Sequence, residues 1–173
     1  MPIAAFENRN EEPLILRVEP GGDRIEIPHL ATAGVRYVLE DGAEDFSTCV
    51  VGPNEIEFYC ASARYEVDLV PPSPFDRLLW DICVKSGFCG GIVNGEPTHV
   101  EDLLPKDGLI SAETFARLAI RAEGDAPVDD ERHSRWMRML EAKFIQHFGP
   151  QPVPAERLRR NLDRPFEQGA GES

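Results

Sequence analysis

The sequence predicts an α+β fold: an N-terminal antiparallel β meander, forming a small sandwich or open barrel, packed against a C-terminal bundle of about three to four helices. Three observations predict it. From Leu14 to Leu69 apolar and polar residues alternate in short runs separated by Gly, Pro and Asp. From Ser73 to Gly149 the apolar spacing changes to three and four. Between the two lies Ser73–Gly91, SPFDRLLWDICVKSGFCGG, which carries its own helix start and stop. The expected divisions are a flexible arm at 1–12, the antiparallel β unit at 13–72, the helical unit at 73–150 and a basic, partly disordered tail at 151–173.

Leu14–Glu19 reads as the first strand and Arg24–Ile27 as the second, a hairpin across Pro20, Gly21, Gly22 and Asp23. Val35–Leu39 alternates as a third, stopped by Asp41 and Gly42. Phe46–Val51 and Glu55–Cys60 flank Gly52-Pro53-Asn54, a second hairpin, in which Ile56, Phe58 and Cys60 face the core. Tyr65–Leu69 completes the set before Pro71 and Pro72.

Ser73 is placed to cap the next helix, with Pro74 at its first position and Asp76 completing a capping box. Phe75, Leu78, Leu79 and Ile82 form its stripe, and Trp80, Cys83 and Val84 widen that stripe to a helix buried on most sides. Gly87 is the expected left-handed stop. Thr98 with Glu101 predicts a capping box for a short helix ending at Pro105. Ser111 caps another helix that buries Phe115, Leu118, Ala119 and Ala122, and Gly124 ends it. Asp129 or Asp130 begins the longest, with Trp136, Met137, Leu140, Phe144, Ile145 and Phe148 on one face, closed by Gly149 and Pro150. Pro154–Leu162 is expected as a last amphipathic helix, and Arg164–Ser173 as a frayed end.

Hydrophobic residues make up 42% of the 173, enough to bury a core. No apolar run approaches the roughly 18 residues a membrane helix needs, and MPIAAFENRNEEP lacks the basic and apolar segments of a secretion signal. A cytoplasmic location with reduced thiols is the expectation for Cys49, Cys60, Cys83 and Cys89. The net charge of −13, from 31 acidic against 18 basic residues, disfavours nucleic acid and anionic membranes and favours a cationic partner. Arg157, Arg159, Arg160 and Arg164 concentrate positive charge in the tail, which can fold back on an acidic body. Arg132, Arg135 and Arg138 on the long helix lie among Asp129, Glu131 and Glu141, so pairing along the helix accounts for them without nucleic acid.

Few residues carry chemistry. KDGLISAETF, Lys106–Phe115, resembles the second half of an EF-hand loop, but aligning Gly108 with that loop's glycine leaves Asp107 as the sole carboxylate ligand. Calcium takes about six or more oxygens, so a turn leading to a capped helix explains the segment better. Zinc held by the four cysteines and His99 lacks the usual close spacing, and a Cys49–Cys60 disulfide depends on the hairpin pairing them. A thiol site in the Gly87–Gly91 loop would use Cys89 as nucleophile and His99 as base, with Gly90 and Gly91 letting a substrate carbonyl approach. The end of a helix dipole is a poor place for a thiolate, which argues against it. His29, His133 and His147 each stand isolated in the sequence, and the P-loop, G-x-G-x-x-G, G-x-S-x-G and H-E-x-x-H signatures are absent.

The reading that follows is a non-enzymatic, acidic, bacterial-type binding protein, immunity-like or an adaptor, that recognises a basic protein partner and uses no metal or cofactor. The alternative is a small enzyme built on Cys89 and His99.

Overall fold

The computed structural model describes residues 1–124, 129–160 and 164–167. The chain forms two compact units: Met1–Pro72, joined by residues 164–167, and residues 73–160. The class is α+β, with strands dominating the first and helices the second. The division at Pro72 and Ser73 falls where the apolar period changes.

Among the described residues the first unit holds seven strands: β1 (Ile3–Glu7), β2 (Leu14–Glu19), β3 (Asp23–Ile27), β4 (Thr32–Tyr37), β5 (Thr48–Val51), β6 (Glu55–Tyr59) and β7 (Tyr65–Val70). They lie in two sheets, ordered β1-β4-β7 and β3-β2-β6-β5. Both expected hairpins form, β2 with β3 and β5 with β6. The order is not that of a meander, because β2 pairs in parallel with β6, with Leu16 beside Ile56 and Val18 beside Phe58. Turn chemistry fixes hairpins, but β2 has two edges, and burial of Leu14, Leu16 and Val18 selects the second partner. The sheets enclose one core of Leu14, Leu16, Val18, Ile27, Val35 and Phe58 with their neighbours. Phe6 meets Phe58 edge-on at 5.4 Å.

Residues 3–7 are a strand, not an arm: β1 pairs antiparallel along β4 and turns Ala4 and Phe6 toward the core. Asn8, which follows it, is 1% exposed. Its amide donates to the carbonyls of Glu12 and Ile27, each at 2.9 Å, and its Oδ1 accepts from the Asn10 amide. Both donors and the acceptor oxygen of the side chain are engaged, which ties the 8–12 turn to Ile27 and makes the buried amide tolerable. On β4, Gly34 gives the room that Pro165 fills: a Cβ there would lie 2.2 Å from the proline ring. Arg36 lies over the Phe166 ring at 4.3 Å, and the Phe166 amide donates to Asp68.

Tyr65 links the two sheets. Its hydroxyl donates to Asp23 Oδ2 at 2.6 Å and occupies the space where Gly21 lacks a side chain. Burial, with the Asp23 carboxylate next, pushes its pKa up to about 12. All three tyrosines of the chain, Tyr37, Tyr59 and Tyr65, lie in this unit. Absorbance titration should therefore show a tyrosine ionising near 12 in the native protein that moves to about 10 on denaturation. A folded-state pKa raised in this way stabilises the unit below the unfolded value, and that contribution is lost as pH rises from about 10 to about 12. Tyr65→Phe should abolish this latest step.

The second unit begins with α1 (Pro74–Cys83), capped as expected: Asp76 N–H donates to Ser73 Oγ at 3.1 Å and the Ser73 amide to Asp76 Oδ2 at 2.8 Å. Gly87, at φ 77°, and Phe88 close it through amide bonds to the Cys83 and Ile82 carbonyls. Its buried face is narrower than the apolar residues suggest, since Val84 is 59% exposed while Asp81 is 8% exposed. There follow a hairpin of β8 (Gly91–Val93) and β9 (Glu96–Thr98), then α2 (Val100–Leu103), β10 (Leu109–Ile110), α3 (Ala112–Ala122), α4 (Asp130–Phe148) and β11 (Val153–Pro154). The hairpin turns on Asn94 and Gly95, both at positive φ, the strongest short turn signal in the chain. The α2 cap sits one residue later than Thr98, with the His99 amide donating to Asp102 at 2.8 Å. Ser111 and Asp129 cap α3 and α4 as expected.

Phe75, Leu78, Ile82, Phe115, Leu140 and Phe144 centre the core of this unit. Val153, Ala155 and Leu158 complete it, so residues 153–158 are structural. In place of an amphipathic helix this segment pairs β11 with β10 and makes a single 3-10 turn at Ala155–Arg157. Pro154 cannot donate within a ladder, and Leu158 reaches the core without helical spacing. Leu162, and the end beyond residue 167, lie outside the described residues. The arginines do fold back: Arg160 reaches Glu101 at 2.7 Å and Arg159 donates to the Pro105 carbonyl.

Candidate functional site

The thiol loop lies between the end of α1 and β8. The Cys83 thiol donates to the Phe88 carbonyl at 3.1 Å, and the Cys89 thiol to the Cys83 carbonyl at 3.3 Å. Burial first, and the Cys89 sulfur beside it next, push the Cys83 thiol up to about 12, away from the reactive thiolate. His99 does come to Cys89, but through backbone: its Nδ1 lies 2.6 Å from the Cys89 carbonyl oxygen. A carbonyl only accepts, so Nδ1 carries the hydrogen, and the imidazole holds the loop in place without contacting the thiol through that nitrogen.

The glycines answer a packing need. A Cβ on Gly90 would lie 2.4 Å from the Thr98 carbonyl, and one on Gly91 would lie 2.2 Å from that of Glu123. Glu123 Oε1 also accepts the Gly90 amide at 2.9 Å. The space reserved for a substrate carbonyl in the enzyme reading is filled by the chain's own backbone. The sequence brings the right residues together here for a structural reason.

The other sequence candidates separate. Cys49 stands opposite Phe58 in the β5–β6 register, so Cys60 is not its cross-strand partner, and all four thiols are free. Among the described residues no group of three or more His, Cys, Asp or Glu side chains converges as a metal site. Asp107 and Gly108 form a turn, Gly108 at φ 93°, whose carbonyl accepts the Ala155 amide. Arg132 lies over the Trp136 ring at 4.4 Å, so its charge is engaged on its own helix.

One pairing was invisible in the sequence. His147, in the last turn of α4, places Nε2 at 2.6 Å from Asp81 Oδ2 on α1, and Lys85 approaches the other oxygen at 3.4 Å. Neither side chain of the pair is more than 14% exposed. Burial pushes the Asp81 carboxyl up, but hydrogen bonds from His147 and Lys85 and the Lys143 charge outweigh it and hold the group below the usual range. Ser86, close by, donates to the Asp81 backbone carbonyl and not to the imidazole. The pair joins α1 to α4.

The remaining feature is a surface. β5, reading Thr48-Cys49-Val50-Val51, is an end strand whose four residues are all exposed. Phe46 before it is 75% exposed, Val50 58% and Val51 69%. Glu40, Asp41, Glu44 and Asp45 precede it, exposed along the loop that leads into the strand. Asp45 accepts from the Tyr37 hydroxyl and the Ser47 amide, which hold its carboxyl below the usual range and so keep it charged. Among the described residues no helix is long and apolar enough to cross a membrane.

Comparison with protein-family models, curated proteins and solved structures finds no match to the chain.

Proposed function

We propose that the chain is a non-enzymatic acidic binding module that recognises a basic protein, in the manner of an immunity-like or adaptor protein. The observation that carries this reading is the exposed run of carboxylates from Glu40 to Asp45 leading into an apolar strand, in a chain of net charge −13. An acidic surface raises the encounter rate with a cationic partner, and an adjacent apolar patch supplies short-range affinity. The filled space beside Gly90 and Gly91, and the engagement of His99 Nδ1 with the Cys89 backbone carbonyl, weigh against the Cys89–His99 enzyme.

Affinity capture from native lysate tests the reading. A basic protein should be recovered, and its affinity should fall as salt rises from about 50 to 300 mM. Cys89→Ser should leave both recovery and salt dependence unchanged. Recovery of neutral or acidic proteins with no salt dependence counts against the reading, and loss of binding in Cys89→Ser returns attention to the thiol.

A further inference from the structure

We infer that the free edge of β5 is the docking surface, and that its occupant is an extended, lysine- or arginine-bearing segment of the partner, added to the sheet as a further strand. This rests on the acidic-module reading and specifies how such a module would bind.

The edge is open by hydrogen-bond parity. Gly52 donates to Glu55 across the turn at 2.7 Å, which makes that couple a hydrogen-bonded pair. Antiparallel pairs alternate, so Val50 with Glu57 and Thr48 with Tyr59 also exchange bonds with β6. Cys49 and Val51 therefore turn their N–H and C=O groups away from β6, toward the outer edge. The opposite parity on β6 agrees: Cys60, in step with Ile56 and Phe58, sends its amide the other way, to Glu19 at the end of β2. Among the described residues β5 pairs with β6 alone.

Such an edge invites pairing unless it is blunted, usually by charge. The other end strand of the same sheet is blunted, since β3 carries Asp23, Arg24 and Glu26. β5 carries no charge, no proline and two exposed valines, and its carboxylates lie just outside it: Glu40, Asp41, Glu44 and Asp45 before the strand, and Glu57 on its neighbour, where Glu55 is already paired with Arg17. An added strand gains backbone bonds along β5 and meets negative charge beside it and beyond its end. That arrangement selects a strand with basic side chains. A second copy of this chain has the backbone for the same edge but brings another −13 with it, so like charge opposes self-pairing.

The test is fluorescence anisotropy with a labelled peptide of alternating lysine and valine, a glutamate-for-lysine counterpart, and a version N-methylated on alternate amides. The lysine peptide should bind and weaken with salt, and the glutamate peptide should not bind. N-methylation, or Val51→Pro in the protein, should each lower affinity about tenfold by removing edge hydrogen bonds. Val51→Pro removes an amide that does not bond β6, so its circular dichroism and melting should match those of the parent. Asp41→Asn with Glu44→Gln should weaken binding about threefold and flatten its salt dependence. If the N-methylated peptide and Val51→Pro bind as the parents do, or the lysine peptide does not bind, the edge is not the surface. A basic protein still captured by Val51→Pro would then leave the acidic-module reading standing, and its absence from the wild-type capture would remove both. Concentration-dependent dimers that disappear in Val51→Pro would assign the edge to a second copy and overturn the basic occupant.

Discussion

Gly91→Ala should lower the stability of the helical unit by about 3 kcal/mol, at the upper end of overpacking costs. The added methyl carbon would sit 2.2 Å from the Glu123 carbonyl oxygen and 2.6 Å from its carbon. Both are backbone atoms at the end of α3, so no rotamer change relieves the contact and the loop must separate from the helix. That separation would also strip the Gly90 amide from Glu123 and shift His99 relative to Cys89. Gly87→Ala is the informative control. Gly87 adopts φ 77° with nothing near the position of a Cβ, so it should cost only the left-handed backbone penalty of about 1 kcal/mol. Urea unfolding followed by tryptophan fluorescence separates the two, because Trp80 and Trp136 both lie in this unit. Equal midpoints for the two variants would show that the loop has room, and would reopen the space beside Gly91 to a substrate.

Local chemistry made much of this fold legible. The Ser73 capping box, the Gly87 stop, the Ser111 and Asp129 caps and both hairpins of the first unit depend on residues within about five positions of one another. What was not legible depends on residues far apart, or on weak patterns. β1 is hidden because Ala4 and Ala5 give IAAFE little contrast between its faces. The parallel β2–β6 pairing joins segments whose turns say nothing about each other. The β8–β9 hairpin did have a signal, Asn94-Gly95, but its strands are too short to show alternation. At the candidate site, proximity of Cys89 and His99 was readable and its geometry was not: a backbone carbonyl stands where the thiol was expected. The exposed β5 edge could not be read either, since TCVV looks like any core strand until its neighbours are placed.

The Asp81–His147 pair belongs to the illegible class and has the second large expected effect. The residues lie 66 positions apart, and the apolar pattern of α1 predicts burial of Val84 in preference to Asp81, the reverse of what is found. Asp81→Ala leaves a nearly buried imidazole N–H without its acceptor and removes the contact of α1 with Lys85, and should cost about 2–4 kcal/mol. Asp81→Asn keeps an acceptor for Nε2–H and should cost about half of that. The two substitutions also separate hydrogen bonding from charge. Because the folded carboxyl titrates below its ordinary value, the ionised Asp81 carboxylate, held by its hydrogen bonds, stabilises the helical unit above the unfolded-state pKa of about 4. That contribution is lost as pH falls through the ordinary carboxylate range toward the lower folded value, where Asp81 becomes neutral. Unfolding midpoints by tryptophan fluorescence should therefore fall between about pH 5 and pH 3 in the wild type, and fall less in both variants. If Asp81→Asn keeps the wild-type acid slope, other carboxylates set it, and the pair acts through its hydrogen bond alone.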